Sequence, residues 1–225
     1  MDEKTIAIIP AFNAAQFLQP VVEGALKAIH DVVVIDDGSA DGTSEVARKA
    51  GAKVVRHEKN RGKGGALKTG FEYALAQGFD SVVTLDADGQ HLPAEIALFI
   101  EARRATGADL IIGSRSRLFT GMKRRRRLAN RFSAMTISWS SGSEVDDSQS
   151  GFRLYTKKLL QSVGMKSDGF AAESEIIVRA GRGGFRILMI PINLGFIDGV
   201  HTSHYRAVKD TFRIAWVVFK TRFFG

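Results

Sequence analysis

Residues 81–91 read Ser81-Val82-Val83-Thr84-Leu85-Asp86-Ala87-Asp88-Gly89-Gln90-His91, a short apolar run that opens into a loop carrying two carboxylates. A run of this length bounded by turn residues reads as a buried strand. In an open α/β sheet, ligands bind beyond the carboxyl ends of the strands, which is where Asp86 and Asp88 fall. Two carboxylates separated by one residue can hold a hard divalent cation through oxygen. Mg²⁺ or Mn²⁺ so held keeps open positions that phosphate oxygens fill, and the loop reads as a diphosphate-metal clamp. An ordinary surface turn also fits these residues, because Asp and Gly are common in turns.

Working outward, the same arrangement recurs. Thr5-Ile6-Ala7-Ile8-Ile9 ends in Pro10-Ala11-Phe12-Asn13, and Val32-Val33-Val34-Ile35 ends in Asp36-Asp37-Gly38-Ser39. Lys53-Val54-Val55-Arg56 is followed by His57 to Arg61, then by Gly62-Lys63-Gly64-Gly65 leading into Ala66 to Gln77. In that last stretch Ala66, Leu67, Phe71, Ala74 and Leu75 share one helical stripe. Strands alternating with helical segments predict βα repeats, a parallel sheet and an α/β fold. Right-handed crossovers put the loops on one edge, so Pro10, Asp37, Lys63 and Asp86 are expected to converge.

Six motifs recur together, in order, from about residue 5 to 195: Pro10-Ala11-Phe12-Asn13, Asp36-Asp37-Gly38-Ser39, Asn60 to Ala66, Asp86 to His91, Gly113-Ser114-Arg115, and Asp147-Ser148-Gln149-Ser150-Gly151-Phe152-Arg153. This set resembles glycosyltransferase family 2, and within it the dolichyl-phosphate mannose synthase and polyprenyl-phosphate glycosyltransferase branch. The resemblance implies a GT-A fold, a Rossmann-like and mainly parallel sheet flanked by helices. It also implies a nucleotide-sugar donor and inversion at the anomeric carbon.

Composition fits one domain with a sizeable core: 225 residues, 44% hydrophobic, with no linker-like or repeated tract. Cysteine is absent, which excludes disulfides and thiolate metal sites. Met1-Asp2-Glu3-Lys4 does not read as a signal peptide, and the apolar run Ile214 to Phe219 is far shorter than a spanning helix needs. The expected location is cytoplasmic, peripheral on the cytoplasmic face of a membrane. We expect residues 1–200 to form the catalytic domain. Residues 201–225 are expected to form a basic amphipathic helix, lying on the membrane surface or packed on the core.

The net charge of +8 has a single source. Eight of the 32 basic residues fall between Arg115 and Arg131, where no Asp or Glu occurs, and the other 24 balance 24 acidic ones. A solvated face is the plain reading of such a run. Nucleic acid is disfavoured, since the window lacks interleaved aromatics and the chain shows no zinc or helix-turn-helix pattern. An anionic membrane surface or a lipid phosphate fits better, at on the order of 1 kcal/mol per basic residue. Val208, Phe212, Ala215, Trp216, Phe219 and Phe223 recur at helical spacing with Lys209, Arg213 and Lys220 on another face. That pattern suits an interfacial helix and equally a helix packed on the core.

By resemblance, Asp37 accepts a hydrogen bond from the nucleobase or ribose, with Pro10 and Phe12 shaping the pocket; a turn-forming role before Gly38 is the alternative. Lys63 is expected at a phosphate or the sugar, and Asp86, Ala87 and Asp88 at the donor diphosphate. The match to the mannose synthases implies that the amide oxygen of Gln90 completes the metal site of Asp86 and Asp88. His91 is expected to be a neighbour rather than a ligand, because a hard cation prefers oxygen. Arg115, after the strand Leu110-Ile111-Ile112-Gly113, is placed to grip the acceptor phosphate. Arg127 or Arg124, with His204 or Arg206, would complete the cage. In relatives that glycosylate hydroxyls, a Glu-Asp doublet supplies the base, and here the doublet is Asp146-Asp147. Glu173 and Glu175 are candidates for sugar hydroxyl contacts or for helix-face charges.

A lipid phosphate is already anionic at neutral pH and needs no base, whereas a hydroxyl must lose its proton. The expectation is therefore an inverting, metal-dependent glycosyltransferase that moves a hexose from a GDP- or UDP-sugar to a polyprenyl phosphate, with a membrane partner protein as a possible aid. Three rivals remain: the same donor chemistry on a saccharide or lipid-linked hydroxyl, a catalytically silent nucleotide- or membrane-binding module, and a sugar-1-phosphate nucleotidyltransferase. The last lacks its Gly-rich loop at Pro10 to Ala15.

Overall fold

A computed structural model describes residues 3–117, 124–164, 171–195 and 221, with 124–127 and 129 described as backbone only. Its strands are β1 (Thr5–Ala11), β2 (Asp31–Asp36), β3 (Lys53–Arg56), β4 (Ser81–Thr84), β5 (Leu110–Ser114), β6 (Arg153–Thr156) and β7 (Ile187–Pro191). They form one sheet in the order β3-β2-β1-β4-β6-β5-β7. The inner strands β1, β2, β4, β5 and β6 are buried on both faces, as a sheet between helical layers requires, while the edge strands β3 and β7 are partly exposed. Ile6 and Ile8 of β1 face one core with Val33, Ile35, Leu67 and Phe71, while Ala7 and Ile9 face the other with Val34, Leu18, Phe99 and Phe152.

Helices α1 (Ala15–Ala28), α2 (Thr43–Lys49) and α4 (Ile96–Thr106) supply the second of these cores. The first is covered by α3 (Gly62–Ala76), α5 (Arg124–Ser141), α6 (Lys157–Ser162) and α7 (Ala171–Arg182). This is the expected GT-A arrangement, a mainly parallel sheet between helical layers. The helix expected at Ala66 begins four residues earlier, so Lys63 lies in its first turn.

The element that organises the site is β6, which runs antiparallel between β4 and β5. Its register pairs Thr84 with Arg153, bringing the residues before β6 to the carboxyl end of β4. The Thr84 hydroxyl fixes this junction by donating to the Gly151 carbonyl at 2.8 Å. Among the described residues no helix is long and apolar enough to cross a membrane. The C-terminal apolar positions Val208, Phe212, Ala215, Trp216, Phe219 and Phe223 lie outside the described residues, as do His204 and Arg206.

Candidate active site

The carboxyl ends of β1, β2, β4 and β5 bring the sequence motifs to one edge of the sheet. The loops after β2 and β3 are clasped together by the Asp36-Asp37 doublet. Asp36 accepts from the Ser39 N–H at 2.8 Å and from the Ser44 hydroxyl. Burial pushes the Asp36 carboxyl up, but these hydrogen bonds and nearby Arg56 outweigh it and hold it below the usual range. The Asp37 carboxylate accepts the backbone N–H groups of Arg61 and Gly62 at 2.8 and 2.7 Å and lies 2.6 Å from His57 Nδ1. It therefore caps the start of α3, where backbone donors have no intrahelical partner. Asp37 is only 2% exposed, so in this structure its oxygens organise the turn. Gly38, at φ +78, is needed there: a Cβ would stand 2.9 Å from the Asn60 nitrogen and the Lys59 carbonyl carbon. Pro10 is half-buried, and Phe12 stays exposed on the loop after β1.

The helix start positioned by Asp37 carries Lys63 to the acidic loop. Its ammonium lies 2.6 Å from Asp86 Oδ1 and 3.2 Å from Glu173 Oε2. Gly151 makes this approach possible, because a Cβ there would sit 2.6 Å from both Asp86 oxygens and 2.7 Å from Lys63 Nζ. Burial disfavours the charge on Asp86, yet Lys63, His91 and Arg115 hold its carboxyl well below the ordinary value. Lys63 is correspondingly raised, its burial outweighed by Asp86 and Glu173. Asp88 moves the other way, pushed up by burial and by the charge of Asp86. Asp88 Oδ1 accepts the Gln90 N–H at 3.0 Å, tightening the turn, and Ala87 between them is buried. His91 accepts the Asp86 N–H through Nδ1 at 3.2 Å. Burial lowers its pKa to about 4, so the ring is neutral at pH 7 and shapes the loop through this bond.

Among the described residues, no group of three or more His, Cys, Asp and Glu converges as a metal cage. Asp86, Asp88 and Gln90 lie close in sequence on one turn, which the Gln90 N–H closes onto Asp88. Two carboxylates suit Mg²⁺ or Mn²⁺, which take one or two such groups and complete their shell with substrate phosphates and water. Asp86, Asp88 and Gln90 are the residues of this loop whose oxygens could serve such an ion, and Lys63 adjoins Asp86 as a positive charge.

Arg115 follows β5 and forks onto Asp147. Its Nε donates to Oδ2 at 2.7 Å and its Nη2 to Oδ1 at 3.0 Å. The backbone N–H groups of Arg115 and Gln149 also donate to Asp147. Burial opposes the charge on Asp147, but Arg115 outweighs it and keeps the carboxyl below the usual range. Asp146, its neighbour in the doublet, accepts from the Ser116 hydroxyl at 2.8 Å. Arg153 is fully buried and donates to the carbonyls of Ser150, Glu173 and Ser148, so it ties the loop before β6 to α7.

The two α7 glutamates part here. Glu175 pairs with Arg179 at 2.8 Å along the helix, whereas Glu173 turns to Lys63. Glu173 Oε1 is buried without a hydrogen-bond partner. Arg124 and Arg127 belong to the first turn of α5, but their side chains lie outside the described residues. Sequence reasoning missed Gly151 as the spacer beneath the Asp86-Lys63 pair, Glu173 as the second partner of Lys63, and the clamp of Asp147 on Arg115. Glycine before a strand was the available sign of close approach for the first. No sequence signal marked the other two.

The family described as "Glycosyl transferase family 2" matches residues 6–172. Polyprenol monophosphomannose synthase of Mycolicibacterium smegmatis is 32% identical over 207 residues, covering 84% of this chain and 77% of that protein. UDP-N-acetylglucosamine–dolichyl-phosphate N-acetylglucosaminyltransferase of Methanococcus voltae is 29% identical, covering 97% of this chain and 94% of its own length. Among solved structures, glucosyl-3-phosphoglycerate synthase of Mycobacterium tuberculosis, crystallised with Mn²⁺, UDP-glucose and phosphoglyceric acid, shares the fold at a TM-score of 0.73. It is 20% identical and covers 97% of this chain against 78% of that one.

Proposed function

The chain belongs to glycosyl transferase family 2, and from this premise we propose that it transfers a hexose from a nucleotide diphosphate sugar to a polyprenyl phosphate, with inversion. The observation that carries the reading is the strand-end loop that holds Asp86 and Asp88 one residue apart, with the Lys63 ammonium 2.6 Å from Asp86 and Gly151 leaving room for that pair. In this reading Asp86, Asp88 and Gln90 hold Mg²⁺ or Mn²⁺, which when bound neutralises the diphosphate leaving group. Lys63 lies where it can exchange a contact with Asp86 for one with a phosphate oxygen. Pro10, Phe12 and the clasp held by Asp37 border the nucleoside side.

An acceptor phosphate oxygen attacks the anomeric carbon as the bond from that carbon to the diphosphate oxygen breaks. The electron pair leaves with the nucleoside diphosphate, and no proton need move. Arg115, with two donors on Asp147 and others remaining on its fork, holds the anionic nucleophile in line. Asp147 also speaks for an acceptor that needs no base. Four donors and the Arg115 charge keep it ionised and weakly basic, unlike a carboxylate poised to remove a hydroxyl proton. Relatives named for polyprenol, undecaprenyl and dolichyl phosphates fit this choice. Residues 1–200 would then be the catalytic domain and 201–225 a membrane-side segment, with the enzyme on the cytoplasmic face.

Calorimetric titration of UDP and GDP, with and without Mn²⁺, tests the donor half. One of the two nucleotides should bind in a Mn²⁺-dependent way. Asp88→Asn, which replaces an anionic metal ligand with a neutral amide, should weaken that Mn²⁺-dependent binding by at least about tenfold. Unchanged affinity in a folded Asp88→Asn protein would remove Asp88 from the metal site.

A further inference from the structure

Helix α5 is turned inside out. An ordinary surface helix buries its large apolar stripe and exposes its polar face. Here the inward face is Asn130, Ser133, Ala134, Ile137 and Ser140, all buried. The outward face is Leu128, Phe132, Met135 and Trp139, exposed by 66, 55, 64 and 62%. These four recur at intervals of four, three and four residues, so they form one continuous stripe on the helix. A contiguous apolar strip this prominent marks a surface that meets something else.

Charge identifies the partner. The helix sequence contains Arg124, Arg125, Arg126, Arg127 and Arg131 and no acidic residue. A second copy pairing along this stripe would bring more arginine and no counter-charge. The chain's own segment 196–225 is a poor complement too, with five Lys or Arg against two Asp. An anionic bilayer answers both features, taking aromatic and aliphatic side chains into its acyl boundary and arginines among its headgroups.

We propose that α5 docks this protein on an anionic lipid surface through Leu128, Phe132, Met135 and Trp139, with its arginine-rich first turn at the headgroups. The choice of a bilayer rests in part on the lipid-acceptor reading above. The docking helix is coupled to the site, because the Ser133 and Ser148 hydroxyls lie 3.2 Å apart and Ser138 Oγ exchanges two hydrogen bonds with the Val145 backbone. The loop so held carries Asp147 and, through it, Arg115. Seating α5 on the membrane therefore fixes the height of the acceptor clamp above the lipid.

The test is co-sedimentation with phosphatidylglycerol or phosphatidylcholine vesicles that contain no polyprenyl phosphate. The variants are Phe132→Ser with Met135→Ser, and Trp216→Phe, which leaves Trp139 as the only tryptophan reporter. The wild type should bind phosphatidylglycerol only and less at high salt, and Trp139 emission should shift to the blue on binding. The double substitution should weaken partition about a hundredfold, the worth of two apolar side chains. Its melting temperature and its transfer to a short polyprenyl phosphate in detergent should not change. Wild-type vesicle binding by the double variant would overturn the proposal. So would a large fall in its melting temperature, which would put the stripe under the chain's own C-terminal segment, or loss of a dimer with vesicle binding intact, which would assign it to a second copy. Vesicle binding through α5 together with no transfer to polyprenyl phosphate would retain the docking surface and overturn the lipid acceptor.

Discussion

Substituting Gly151 by alanine perturbs the site at its tightest point. The added Cβ would lie 2.6 Å from both Asp86 oxygens and 2.7 Å from Lys63 Nζ, where ordinary contact begins at 3.4 Å. The carboxylate must therefore retreat by roughly 0.8 Å, and displacement on that scale at reacting groups costs about a hundredfold in rate. Both displaced groups are ends of flexible side chains, so the fold absorbs the methyl with an over-packing cost of about 1–3 kcal/mol. For a chain of this size that is a fall of roughly 2–12 °C in melting temperature. Steady-state kinetics with a labelled donor, beside thermal melts, separates the two effects. Wild-type turnover in Gly151→Ala would refute the claim that Asp86 and Lys63 act from the positions they hold here.

Other perturbations probe the neighbouring groups. Glu173→Gln keeps the size of the side chain but removes one of the two negative charges on Lys63, and should lower turnover at least tenfold with little change in the circular dichroism spectrum; unaltered turnover would reduce Glu173 to a structural residue. Arg115→Lys keeps a charge but not the two-pronged grip on Asp147, so KM for polyprenyl phosphate should rise while affinity for the nucleotide product holds; equal losses would move Arg115 to the donor side. The folded-state pKa of Asp147 is depressed, so its contribution to stability is present above its unfolded value and is lost as pH falls through the lower folded one. Asp147→Asn should accordingly flatten the stability profile below about pH 4, and by leaving Arg115 without its partner should cost roughly 3–5 kcal/mol at neutral pH in urea unfolding. An Asp147→Asn profile parallel to that of the wild type would contradict the pairing.

The half of the fold built from βα repeats was legible because parallel strands buried on both faces are uniformly apolar, and each ran into a loop of polar or glycine residues. Asp86, Lys63 and Asp37 could be placed on one edge from connection rules alone. The roles within that edge were less legible. Asp37 caps α3 through backbone groups 24 and 25 residues away, a contact that no local pattern announces. Strand β6 is four residues long and antiparallel, so nothing in its composition fixed its place between β4 and β5. That insertion is what brings Gly151 against Asp86. Helix α5 shows the limit most plainly, because only packing reveals that its small, polar stripe faces in and its large apolar stripe faces out.

Turnover of a panel of UDP- and GDP-hexoses with polyprenyl phosphate and Mn²⁺, read as radiolabel in the lipid extract, tests the central claim most directly. The account predicts metal-dependent labelling from one nucleotide series, released from the lipid by mild acid as expected of a sugar phosphodiester, and absent with Asp88→Asn. Donor turnover that labels only a saccharide or lipid hydroxyl, with polyprenyl phosphate left unglycosylated, would contradict it.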